Sequence, residues 1–251
     1  MIYTSHLLED DEMKELIRET GTGVESIEFS IAENLDELDR KMKLYEKRLE
    51  AMECKKLFLH GPFLDLNPMT FDSLILETTR KRYEQAYEAA KYLGAKKIVF
   101  HTCYVPGVYM LYGWADRVAD FYNRFLEGKE GVQILMENVF DQNPQPILEA
   151  AEKITHPDFG LCFDMGHAHC YSPVPTVNWC RLFGEKIRHL HVHDNMGDRD
   201  AHMGLGMGNL DYKAIIEEVK RNNPDVTYTI ECMKKEDVER SICELNKIIY
   251  K

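Results

Sequence analysis

What most constrains this chain of 251 residues is a repeated ending. Short β-branched or aromatic runs alternate with longer amphipathic segments eight times, with no Gly-, Ser- or Pro-rich linker between them. Run after run then stops in a histidine or a carboxylate: LFLH at His60, IVFH at His101, ILME at Glu137, CFD at Asp164, HLHVH at His191 and His193, and TIE at Glu231. In a (β/α)8 barrel every strand is parallel, so all the C-terminal ends gather on one face, where barrel active sites lie. A doubly wound open sheet also accommodates alternating elements, but it does not collect six strand ends. It normally carries a Gly-rich phosphate turn after the first strand as well, and MIYTSH has none. The reading is therefore α/β: a single TIM-barrel domain over residues 1–251, a length that single barrels commonly reach.

The expected strands are residues 2–5, 26–30, 56–60, 97–101, 132–137, 159–164, 187–193 and 226–231. Helices are expected from Glu9, over 34–52, over 71–93 with Gly94 as the stop, near Trp114, from Pro146 to before Pro157, around Val177, from Tyr212 and from Glu236. Side chains alternate faces along a strand, which gives a test by phase. An apolar residue that can face the helices precedes each of His60, His101, Glu137, Asp164 and Glu231, so the polar ends all point inward.

The densest stretch begins at His191 and places His191, His193, His202, Asp194, Asp198 and Asp200 within twelve residues. A lone strand-end histidine is ordinarily a hydrogen-bonded structural residue. Six polar ends at one barrel mouth are costly unless paired or bound to cations. Nitrogen and oxygen donors without thiolate suit Zn²⁺ or Mn²⁺, with Fe²⁺ and Co²⁺ also compatible. His193 and Asp194 are expected to orient the site or touch substrate, Arg199 is the nearest candidate for a phosphate contact, and His189 should lie deeper in the barrel. His169 reads as a neighbour of the ligands or as exposed, and His6 and His156 carry no spacing signal.

Seven scattered cysteines without a CxxC pair argue for reduced thiols and a cytoplasmic protein. No apolar run is long enough for a membrane span, and the N-terminus lacks the pattern of a signal peptide. The net charge of -12 disfavours nucleic acid as a partner. A small-molecule substrate fits better, and self-association into a homo-oligomer is left open.

HGPF, FHTC, MEN, FDMGHAH, HVHD, DAH followed by LGMGNLDY, and IEC occur in that order. The ordered set resembles the xylose isomerase-like barrel superfamily, which contains sugar isomerases and epimerases and the endonuclease IV abasic-site nucleases. The nuclease resemblance implies nine ligands for three zinc ions: His60, His101, Glu137, Asp164, His167, His191, Asp200, His202 and Glu231. The sugar-enzyme resemblance implies one divalent metal on Glu137, Asp164, His191 and Glu231, the two glutamates also exchanging protons with substrate. One to three ions are thus expected. The absence of a GAH-type opening, and DAH with Ala201 where the nucleases carry a DRH-like motif, favour the sugar side. The expected activity is metal-dependent isomerisation or epimerisation of a sugar or sugar phosphate, with abasic-site phosphodiester cleavage as the alternative.

Overall fold

Strands of four to six residues suffice here because each is covered by helices outside and side chains within, so nearly every strand position is buried. The computed structural model describes residues 1–250. Its strands are β1 (Ile2–Ser5), β2 (Gly23–Ser26), β3 (Leu57–His60), β4 (Lys97–His101), β5 (Gln133–Glu137), β6 (Phe159–Asp164), β7 (Ile187–Val192) and β8 (Thr227–Ile230). All pair in parallel and in sequence order, and β8 closes on β1, as the (β/α)8 reading requires. The helices are α1 (Asp10–Thr20), α2 (Ala32–Asp36), α3 (Leu38–Ala51), α4 (Ser73–Leu93), α5 (Trp114–Leu126), α6 (Gln145–Lys153), α7 (Met165–Tyr171), α8 (Thr176–Phe183), α9 (Tyr212–Asn222) and α10 (Lys235–Ile249).

The apolar residues that precede the strand-end histidines and carboxylates do face outward. Leu59, Phe100, Met136, Phe163 and Ile230 belong to the main core between barrel and helices. Inside the barrel, side chains stack in layers. Lys97 closes the N-terminal end, its Nζ donating to the Arg188 carbonyl and to Thr227 Oγ1 at 2.8 Å each. Val99, Leu135 and Cys162 form a small separate apolar cluster above it. The ligand-type residues occupy the top.

Three expectations differ from the structure. β2 lies at 23–26 instead of 26–30, and Glu28–Ser30 is one 3-10 turn. The inward position of that strand is the charged Glu25, which pattern reading takes for an exterior residue. Gly23 permits the close approach, since a Cβ there would come within 2.3 Å of the Tyr3 ring. The helix expected over 34–52 breaks at Glu37, dividing α2 from α3. α7 follows β6 directly and was not expected, being too short to show periodicity. Its N-cap is Asp164, whose side chain accepts the His167 amide at 2.7 Å. None of the seven cysteines is in a disulfide, and among the described residues no helix is long and apolar enough to cross a membrane.

Candidate metal centre

Parallel closure brings the strand ends together at the C-terminal mouth. All nine residues of the ligand set meet there, and Glu137 at the end of β5 lies among the histidines. Its Oε2 is 3.3 Å from His60 Nε2 and 3.5 Å from His101 Nε2, while its Oε1 is 3.3 Å from both His167 Nδ1 and His191 Nδ1. Three groups result. His60, His101 and Glu137 form one. His191 Nδ1, with Glu137 Oε1 at 3.3 Å, Glu231 Oε1 at 3.4 Å and Asp164 Oδ2 at 3.8 Å, forms a central one. His167, Asp200 and His202 form the third, with His193 as a further member.

Anchors on the far ring nitrogens orient the imidazoles. His60 Nδ1 donates to the Gly61 carbonyl at 3.0 Å, His167 Nδ1 to the Asn138 carbonyl at 3.1 Å and His202 Nδ1 to the Glu231 carbonyl at 2.8 Å. In each ring the Nε2 lone pair is then left toward the cluster, the arrangement that metal-ligating histidines use. His202 holds this position in a left-handed backbone conformation, φ +44°, uncommon for a residue with a side chain.

Glu25 supplies the anchor for His191, and sequence reading missed it. It is fully buried, with Oε1 3.0 Å from His191 Nε2 and Oε2 3.0 Å from His189 Nε2, and it accepts the Thr229 hydroxyl. Receiving Nε2–H leaves the His191 Nδ1 lone pair facing Glu137, Glu231 and Asp164. Burial works against ionising Glu25, but His191 and His189 outweigh it and hold the carboxyl well below its ordinary range. The available signal was a charge on the inward phase of β2, readable only with that strand in the correct frame.

The donor set fits divalent ions by an observation independent of resemblance. Glu137 Oε2, His191 Nδ1, His193 Nδ1 and Asp200 Oδ1 are buried without a hydrogen-bond partner. Leaving such atoms unsatisfied costs about 1–3 kcal/mol each, so buried polar atoms of this kind call for an explanation. His60 Nε2 and His101 Nε2 also face each other at 3.1 Å. Two imidazole lone pairs at that separation need a proton or a cation between them. Cys162 adjoins His189 and His191, but burial raises its thiol and keeps it protonated, leaving nitrogen and oxygen donors.

Proton affinities follow the same arrangement. Burial favours a neutral Glu137, yet His191, His101 and His167 hold it ionised. Burial pulls His101 down to about 3. For His202 burial acts downward, but the Asp200 hydrogen bond and Glu231 prevail and push it up to about 9.

The residues expected to meet substrate are placed differently from one another. His193 is buried against Asp164, its Nε2 3.1 Å from Oδ1, and stacks on His202 at 4.0 Å. It thus sits between Asp164 and the third group, its Nδ1 3.7 Å from Asp200 Oδ1. Asp194 is committed to the chain: its carboxylate accepts the amides of Asn195, Gly206, Gly208 and Leu210 at 2.9–3.2 Å, shaping the loop that carries Asp200 and His202. Arg199 is exposed on that loop. His189 lies beneath the site, as expected, and His169 bonds Asn209 Oδ1 at 2.7 Å outside it.

Comparison with known proteins agrees with this geometry. A family model described as a xylose isomerase-like TIM barrel matches residues 15–247. A solved structure of a D-tagatose 3-epimerase-like protein superposes with a TM-score of 0.80 at 23% identity, covering 99% of this chain and 98% of the other. A Thermus thermophilus protein soaked with ZnCl2 superposes with the same TM-score at 25% identity, covering 98% and 97%. A probable endonuclease 4 of Mycobacterium leprae is 25% identical over 196 residues, 72% of this chain and 76% of its own length.

Proposed function

The chain belongs to the xylose isomerase-like TIM barrel family, and on that premise we propose that it is a metal-dependent isomerase or epimerase acting on a small sugar-like hydroxy-carbonyl compound. The observation that carries this reading is the central group, where carboxylates from β5 and from the end of β8 face each other across His191 Nδ1 at 3.3 and 3.4 Å. Glu137, Asp164, His191 and Glu231 would hold a divalent ion, zinc or manganese by the donor chemistry. When bound, it supplies Lewis acidity to adjacent hydroxyl and carbonyl oxygens and lowers the cost of removing the neighbouring carbon-bound proton.

The chain's own groups perform the rest. A substrate carbon seated between the two glutamates has a carboxylate on each face. One removes the proton and the other returns one, so the centre inverts without net oxidation. Glu137, kept ionised by its histidines, is suited to accept. Glu231 is buried, and its Oε1 reaches the same His191 Nδ1 at 3.4 Å. The likeness to an epimerase-like protein and to a zinc-soaked one supports this assignment.

Solvent deuterium exchange tests it. Zinc- or manganese-loaded protein should wash deuterium into one carbon of a ketose or aldose substrate, and Glu231→Gln should lower that rate at least ~100-fold, as loss of a general acid or base does, when metal is supplied at a concentration that saturates the weakened site. No exchange with any sugar, combined with cleavage of a duplex carrying one abasic site that His191→Ala abolishes, would overturn it.

The three groups joined through Glu137 favour that second reading, a cluster phosphodiesterase, because a single-ion epimerase has no use for the His60/His101 and His167/Asp200/His202 positions. Against it stands the rim. Ile31, Leu64, Phe71, Leu74, Val108, Met110, Tyr112 and Met233 are exposed there. Apart from Arg199, a surface of this kind offers a polyanionic duplex little of the positive charge on which nucleic-acid binding depends.

A further inference from the structure

Beside His101 the mouth opens into a cleft of about 370 Å³ on the loops after β3, β4 and β5. Its walls are Phe63, Leu66, Tyr104, Val105, Tyr109 and Phe140. We propose that this cleft receives an aryl or alkyl substituent of the substrate, so that the molecule turned over is a sugar-like hydroxy-carbonyl unit bearing an apolar group. The inference rests on the isomerase reading and deepens it.

Three observations carry it. The cleft is continuous with the metal centre: His101 belongs to both, and the Phe63 ring stacks on the His101 ring at 4.1 Å and 21°. A substituent in the cleft is therefore one ring away from Glu137 of the central group, whose Oε2 lies 3.5 Å from His101 Nε2. The volume falls within the range of small-molecule pockets. Last, the lining chemistry excludes the commoner sugar substituents. No Lys or Arg among the described residues lines it, and Asp65 is its one carboxylate, so a phosphate there would be unpaired and repelled. A chain of free hydroxyls would bury donors and acceptors against Val105, Val139 and Phe140 with few partners, which is costly. Leu64 and Phe140 stay exposed at the cleft without a polar function of their own, and the Tyr109 ring is exposed beside them. An apolar substituent turns that exposure into favourable burial.

Binding to Co²⁺-loaded protein, read by the cobalt absorption band, compares two chelating probes with the same pair of oxygens, acetohydroxamate and benzohydroxamate. The neutral fluorophore N-phenyl-1-naphthylamine reports on the cleft without any chelating head. Benzohydroxamate should bind at least ~10-fold tighter, the effect of burying several apolar carbons. Val105→Trp, which fills the cleft, should erase that advantage and leave acetohydroxamate binding within ~3-fold. The fluorophore should bind once per chain and be displaced by benzohydroxamate alone.

Equal affinity for the two hydroxamates, or fluorophore binding unaffected by Val105→Trp, would overturn the proposal. If neither hydroxamate perturbs the cobalt band while the fluorophore still binds and Val105→Trp abolishes it, the apolar site stands and the isomerase reading falls. Phe140→Ser, which opens a wall without filling space, provides a second variant; a loss of benzohydroxamate preference there with unchanged melting separates the cleft from folding defects.

Discussion

At the residue scale the centre depends on groups that never face substrate. Glu25 takes one imidazole nitrogen of His191 and thereby determines which nitrogen is free. Glu25→Gln should weaken metal binding at the central group about 10–100-fold, the usual cost of removing such a partner, while the far-ultraviolet spectrum stays the same. Calorimetric titration with Zn²⁺ checks this, and unchanged affinity would reduce Glu25 to a packing role. Protons compete for the same positions. His202, pushed up to about 9, holds a proton in metal-free protein at neutral pH. Ion uptake displaces it, so apparent affinity should climb as pH rises from 6.5 toward 9 and protons should be released, as measured in buffers of different ionisation enthalpy. The sign for folding is opposite. A raised imidazole contributes stability to the metal-free chain that is fully present below 6.5 and lost as pH rises through 9. An affinity flat across that window would show that no ligand carries a competing proton.

At the scale of elements, the helices tolerate change that the strand ends do not. Asp72 caps α4, accepting the Leu74 and Ile75 amides at 2.9 and 3.2 Å, and is exposed. Asp72→Ala should cost about 1 kcal/mol of stability and leave metal content unaltered. The junction of β6 with α7 should respond in the reverse way. Gly166 lies against His193, and a Cβ there would come within 2.1 Å of the ring. Gly166→Ala must displace His193 from Asp164, so elemental analysis should find fewer ions per chain even if melting moves little. Full metal content in that variant would mean the ring can shift without consequence. Of these two, only α4 was legible in the sequence. The stop at Gly94 is the left-handed cap of α4, at φ +72°. α7 was hidden because a helix of seven residues has too few turns to show a period.

For the whole molecule, a barrel mouth lined with carboxylates and imidazoles should be more stable loaded than empty. An ion held at about 100 times its Kd adds about 2.7 kcal/mol. For a chain of this size that is roughly a 5–10 °C rise in Tm. Treatment with a chelator should lower the melting temperature by that amount and re-addition of Zn²⁺ or Mn²⁺ should restore it, whereas identical melting with and without chelator would argue that the donors hold no ion. Much of this was determined by the sequence alone. Eight alternations, inward phase at His60, His101, Glu137, Asp164, His191 and Glu231, and parallel chirality leave few other folds, because alternation and right-handed crossovers are local rules. The strand-end members His60, His101, Glu137, Asp164, His191 and Glu231 were legible for the same reason, whereas His167, Asp200 and His202, in α7 and the loop after β7, were indicated as ligands only by the family resemblance. Only tertiary structure could decide what lies between elements. That Asp194 bonds the backbone of its own loop, that Glu25 reaches His191 from a strand far away in sequence, and that the loops after β3, β4 and β5 meet in an apolar cleft all follow from how separate segments pack. No spacing along the chain encodes those distances.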